Sequence, residues 1–211
     1  MQYKATIMKK VKIIIATIIL TSHFSFGQTN AKLSIVLDSL VKEDQKWREL
    51  FRKVNNKESN SLNLKTISAN LNLTDSLDFL MVKNIFNQFG YPGYDVVGKT
   101  GSHNFWLVVQ HMDNHPTFQD SVLAKMKIEV SKDNSSSLDY AYLVDRVKVN
   151  TKQPQIYGTQ MLVNKDSTSY EPKLLIDPDK VNERRKSVGL QSIEEYIKIM
   201  NERYFGTLKK K

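Results

Sequence analysis

A histidine that follows a glutamine, two aspartates out of place among apolar neighbours, and an arginine close to each are the residues of this chain best equipped for chemistry. The stretch His103-Asn104-Phe105-Trp106-Leu107-Val108-Val109-Gln110-His111-Met112-Asp113 runs five apolar residues straight into Gln-His-x-Asp. A helix that is apolar all round is a buried helix. Polar groups carried in with it cost free energy unless each finds a partner, so Gln110 and His111 must be met by something. Histidine changes charge close to neutral pH. A buried carboxylate beside it would orient the ring and stabilise its charge, which is the arrangement that general acid–base catalysis uses. The candidate catalytic residues are therefore His111, Asp145 and Asp44. The candidate binding residues are Arg48, Gln110, Arg146, Tyr157 and Gln160. Forked guanidiniums hold an anionic or carbonyl-bearing ligand, and Tyr157 and Gln160 would read its polar atoms.

The two aspartates are picked out by helical phase. Leu33, Leu37, Leu40, Trp47, Phe51 and Val54 recur at steps of three and four, apart from one step of seven, which predicts an amphipathic helix over 33–54. The member missing from that stripe is Asp44, and Arg48 lies one turn on, where it can pair with it. A helix from about Leu138 carries Ala141 and Tyr142 on its stripe, and the next stripe position is Asp145, flanked by Arg146.

The remaining elements must position these groups. The polar stretch from Asn55 to Asn72 reads as a loop or loosely ordered connection, with room for one short turn around Leu64 and Ile67. Thr74 or Asp75 can cap a second helix with Leu77, Leu80, Met81, Ile85 and Phe89 inward, ended by Gly90 and Pro92. Gly90 through Gly98 and Gly101 reads as a glycine-bearing loop without the spacing of a nucleotide-binding loop. Ser102 then caps the central helix, which stops near Asn114. Pro116 opens a helix with Phe118, Val122, Met126 and Val130 inward. Asp133 to Ser137 is a turn. Gln155–Val163 and Ser169–Ile176 form a hairpin about Asn164-Lys165-Asp166-Ser167. Asp177-Pro178 starts a short helix stopped by Gly189. Ser192-Ile193-Glu194-Glu195 is a capping box for the last helix, with Ile193, Tyr196, Ile197, Met200 and Tyr204 inward. The expected fold class is mainly α, a single helical domain over 28–211 with one small hairpin in its C-terminal third.

The order of short motifs resembles a bacterial exported family catalogued only as a domain of unknown function. The matching residues are Asp44-Gln45 with Arg48, Gly90-Tyr91-Pro92, Trp106 with Gln110-His111 and Asp113, and Asp145-Arg146. They continue with Gln155-x-Tyr157-Gly158-Thr159-Gln160 and close with Arg185 before Gly189-Leu190. Tyr91 stands where the family more often has tryptophan, and His115 lies outside the pattern. The resemblance implies one domain from about Leu33 to Tyr196 and a set of polar positions. It implies no activity.

The totals narrow the classes. Lys4, Lys9, Lys10 and Lys12 precede an apolar run from Ile13 to Leu20, and Ser25-Phe26-Gly27 offers small residues to a signal peptidase. Residues 1–27 are expected to be a signal peptide, leaving an exported protein, periplasmic or secreted, with no membrane association after cleavage. Losing those four lysines takes the formal net charge from +9 to +5. The other bases are scattered among acids rather than massed into a stripe, so no nucleic acid partner is expected. The absence of cysteine excludes disulfides and thiolate chemistry. His103, His111 and His115 are spaced eight and four apart, but Pro116 ends the helix before His115 is placed, and no His-Glu-x-x-His pattern exists. No metal site and no cofactor is expected.

Two functional readings stand. In the first, the polar residues line a cleft that binds a small polar or anionic ligand, or acts as a histidine-based hydrolase. In the second, they form a network that only fixes helix packing in a non-catalytic structural or interaction domain. Both expect Asp44, Arg48, His111, Asp145 and at least one of Tyr157 and Gln160 in one cluster. Oligomeric state is not readable from the sequence.

Overall fold

The chain enters its first helix, α1 (Ala31–Asn55), through Asn30, whose side chain accepts the backbone N–H of Leu33 at 3.0 Å. This computed structural model describes residues 29–56, 58 and 63–205, and the expected signal segment lies outside them. Among the described residues there are seven α-helices, one short 3-10 helix and one two-stranded sheet, so the fold is mainly α as the sequence predicts. Two units are distinguished. One holds the described residues up to Met112 together with Ser131–Ser135, and the other holds Asp113–Val130 and the described residues from Ser136 onward.

The first unit packs three helices. Leu33 and Leu37 of α1 are buried on the predicted stripe, and Asp44 is buried with them. The second helix, α2 (Leu64–Phe89), begins well before the predicted start. Asn63 caps it by accepting the N–H of Thr66, so Thr74 and Asp75 are interior residues, not caps. The polar run after Asn63 is helical because Ile67, at 3% exposure, anchors its inner face. From Ile67 the inner face runs through Asp78 to Met81, Val82 and Ile85, and this phase leaves Leu80 exposed, contrary to expectation. Gly90, at φ 66°, ends α2 with its N–H on the Phe86 carbonyl.

The third helix, α3 (Tyr94–Val109), also starts earlier than predicted. One turn forms from Tyr94, and the backbone then breaks at Gly98, whose φ of 72° and ψ of 174° are open to glycine and strained for other residues. Ser102 is therefore inside the helix, not its cap, and is buried with its hydroxyl near the Tyr91 hydroxyl. Phe105, Val108 and Val109 are fully buried, as the apolar run predicts. The helix stops at Val109, so Gln110 and His111 occupy the turn at its end and are half-buried, not interior.

The second unit opens with α4 (Pro116–Ser131, all but its last residue), which buries Val122, Met126 and Gln119. Ser136 then caps α5 (Ser137–Asn150), where Asp145 is fully buried at the stripe position predicted for it. The hairpin is shorter than predicted: β1 (Met161–Val163) pairs antiparallel with β2 (Tyr170–Pro172), Leu162 opposite Glu171. The 3-10 turn Pro178–Lys180 leads into α6 (Val181–Ser187), and Ser192 caps α7 (Ile193–Tyr204) by accepting the Glu195 N–H. Ile193 is buried as expected, whereas Tyr204 is exposed near the end of α7.

Candidate functional site

Three of the polar residues picked out in the sequence meet in the first unit. Helix α1 brings Asp44 and Arg48 one turn apart, and the turn after α3 brings His111. Asp44 is 1% exposed, accepts from Arg48 Nε at 2.7 Å, and faces His111 Nδ1 with its Oδ2 at 2.9 Å. The neighbouring Gln45 amide donates to the same Oδ2 at 2.8 Å. Burial on its own raises the Asp44 carboxyl, but the contacts with His111 and Arg48 together outweigh it and hold the group below its usual range. Asp44 is therefore an ionised acceptor at neutral pH. The His111 side chain keeps 14% of its surface, and its Nε2 makes no hydrogen bond among the described residues.

Two carboxyl groups that the sequence reading did not assign to the site lie beside these residues, and one of them is bonded to Arg48. Arg48 donates through Nη2 to Asp75 Oδ1 at 2.5 Å, which ties α1 to α2. Asp75 is about one-third exposed, and its carboxyl is raised, chiefly by burial. Asp78, three residues on and on the same side of α2, is 4% exposed. Its Oδ2 is buried with no hydrogen-bond partner. Burial, with the charges of Asp44 and Asp75 added, pushes the Asp78 carboxyl up to about 8. The signal for Asp78 was the one that revealed Asp44, a carboxylate in the phase of an apolar stripe. It was hidden because the predicted inner face was opened by Leu77 and Leu80, whereas the observed face runs from Ile67 through Asp78 to Met81 and Ile85.

Asp145, Tyr157 and Gln160 meet in the second unit, in a network of another kind. Asp145 Oδ1 accepts the backbone N–H groups of Ile156 at 2.7 Å and Tyr157 at 3.0 Å, and Oδ2 accepts that of Thr159 at 2.8 Å. These N–H groups are thereby withdrawn from any strand ladder, which is why the predicted strand from Gln155 begins only at Met161. Gly158, at φ 71°, lets the chain curl round the carboxylate, and a Cβ there would sit 2.8 Å from Ile193. Gln155, fully buried, closes the loop by accepting the Gln160 N–H and donating to the Gln160 and Lys173 carbonyls.

Arg185, also fully buried, donates to the carbonyls of Gln191 and Tyr157 at 2.6 Å each and lies over the Tyr196 ring at 5.0 Å. The Tyr157 side chain is half-buried, and burial raises its hydroxyl. The Gln160 amide donates to the Thr159 hydroxyl at 3.2 Å. Arg146 grips Asp113 through Nε and Nη2, both at 2.7 Å, and Asn150 donates to the same carboxylate. Gln110 stands half-buried beside His111 in the first unit. The hydrogen bonds of Asp44, Arg48 and His111 thus lie in the first unit, and those of Asp145, Tyr157 and Gln160 in the second. Among the described residues no group of three His, Asp or Glu side chains has the geometry to hold a metal ion.

Fold and first-unit geometry together define a mainly helical protein with a buried aspartate on one nitrogen of a part-exposed histidine. The chain belongs to the family of unknown function DUF6624, which matches residues 32–211. No curated protein and no solved structure matches the chain significantly.

Proposed function

We propose that this is an exported bacterial protein that binds a small polar ligand at the His111–Asp44 pair and acts on it by acid–base chemistry, as a histidine-based hydrolase does. One observation carries the reading: Asp44, almost without exposure, lies 2.9 Å from His111 Nδ1, while Nε2, on a ring that reaches the surface, makes no hydrogen bond among the described residues. An ionised carboxylate only accepts hydrogen bonds, so Nδ1 is the nitrogen that donates to Asp44, and Nε2 is the one left to meet a ligand. From there Nε2 takes a proton from water or from a ligand hydroxyl and returns it to a leaving group. The imidazolium formed in between is stabilised by the Asp44 charge, and Arg48 and Gln45 keep the carboxylate in place. Export rests on the charged and then apolar opening of the sequence, and bacterial origin on the order of its motifs.

The Asp145 network favours the structural reading for its own unit. Both carboxylate oxygens are occupied by backbone N–H groups, so Asp145 serves to shape the 155–160 loop. We therefore assign Asp145, Tyr157 and Gln160 to architecture and His111 with Asp44 to chemistry.

The test is a panel of small esters, amides and glycosides, assayed with the wild type and with His111→Asn. The reading expects turnover of at least one compound, reduced in the variant by roughly 10²–10⁴-fold, the usual contribution of a general base. Equal turnover by the two proteins would remove His111 from the chemistry.

A further inference from the structure

The charges and unfilled acceptors around His111 go further and specify a ligand class. Both arginines that the sequence offered to an anion are already engaged by carboxylates. Arg48 spans Asp44 and Asp75, and Arg146 holds Asp113 with two parallel bonds. What the first unit leaves open is acceptors. Asp75 Oδ2 makes no hydrogen bond among the described residues, and its side chain is 34% exposed. Asp78 Oδ2 is buried and likewise without a partner. The two lie three residues apart on one face of α2, beside the arginine and histidine network. A buried acceptor left unfilled costs free energy, so a ligand that completes this site brings hydrogen-bond donors to Asp75 Oδ2 and, as Asp78 ionises against it, to Asp78 Oδ2.

We infer that the His111–Asp44 site takes a small organic cation, an amine or guanidine group whose N–H donors meet Asp75 and Asp78. This rests on reading His111 and Asp44 as a ligand site. An organic cation fits better than a metal ion, because no three His, Asp or Glu residues of the described chain converge with ligating geometry. Around Asp78 the charged groups are Asp44, Arg48 and Glu43 of α1 and Asp75 of its own helix, and the acids outnumber the base. Burial foremost, and then the charges of Asp44, Asp75 and Glu43 against the opposing Arg48, keep Asp78 largely protonated at neutral pH. A cation placed against it favours the ionised form, so binding releases a proton.

The experiment titrates the protein, expressed from Gln28 onward, with butylguanidinium, butyrate, inorganic phosphate and butyramide, following the His111 ring by NMR. Butylguanidinium is expected to shift the His111 signals. Asp75→Asn should weaken that binding at least tenfold, and Asp75→Glu should recover part of it. Calorimetry at pH 7 in buffers of different ionisation enthalpy should show proton release in the wild type and none in Asp78→Asn. If phosphate or butyrate shifts His111 and butylguanidinium does not, the cationic class is wrong while the His111 site stands. A response to butyramide alone likewise overturns the cationic class and leaves the site. If no probe shifts His111 and no compound of the hydrolysis panel is turned over, both the class and the site fall.

Discussion

Asp44, Asp78 and Asp145 are all buried carboxyl groups, yet their surroundings set them to three different tasks. Asp44 is paired with a cation and a histidine, so its lowered folded value favours the native state above the unfolded carboxylate range. That contribution is lost as pH falls through the folded value. Asp78 has the opposite sign. Its carboxyl rises from 3.8 to about 8 on folding, so the native chain binds more protons than the unfolded one between these limits. Stability therefore falls as pH climbs from about 4 to about 8. Each tenfold change in proton affinity is worth about 1.4 kcal/mol, and only the part above pH 5 separates the two conditions of a practical test. Asp78→Asn should gain at least ~2 kcal/mol relative to wild type on moving from pH 5 to pH 8, read by urea unfolding at each pH. An unchanged difference would show that Asp78 ionises freely. For Asp145, replacement by Asn leaves an amide NH₂ facing backbone N–H donors. A loss of roughly 3–5 kcal/mol is expected, as when one partner of a buried pair is removed, and calorimetric unfolding measures it.

At the scale of elements, the legible parts were those where apolar period and caps agree. Helices α1, α4, α5 and α7 lie close to where the sequence puts them, because Leu33 with Leu37, Pro116, the turn Asp133–Ser137 and Ser192 mark face or start. The start of α2 was not legible, since Asn, Ser and Lys around Ile67 resemble a loop in composition. Only packing of Ile67 against the core overrides that local preference. The shortened hairpin was illegible for a related reason: no strand pattern reveals that a carboxylate fourteen residues back claims the Thr159 N–H. The site was half legible. Helical phase found Asp44 and Asp145, but the partners each one takes, His111 and Arg48 for the first and backbone N–H groups for the second, depend on tertiary packing. If Asn63 starts α2, Asn63→Ala should cost about 1 kcal/mol, measured by chemical denaturation. A neutral effect would move the true start toward Thr74.

Across the whole molecule, function and architecture are assigned to different sets of residues. Among the described residues no helix is long and apolar enough to cross a membrane. Exported protein should have the mass of a chain beginning at Gln28, and retention of Met1 in an intact-mass spectrum would contradict cleavage after Gly27. The central claim, however, concerns one atom. Diethyl pyrocarbonate acylates an imidazole only through an unprotonated nitrogen that solvent reaches, and His103, exposed on α3, is an internal standard in the same chain. Peptide mass analysis of the folded protein at neutral pH should find His111 modified on the time scale of His103, and Asp44→Asn should change the His111 rate while leaving that of His103 unaltered. A His111 that stays unmodified until the protein is unfolded would contradict an open Nε2, and with it the assignment of chemistry to the His111–Asp44 pair.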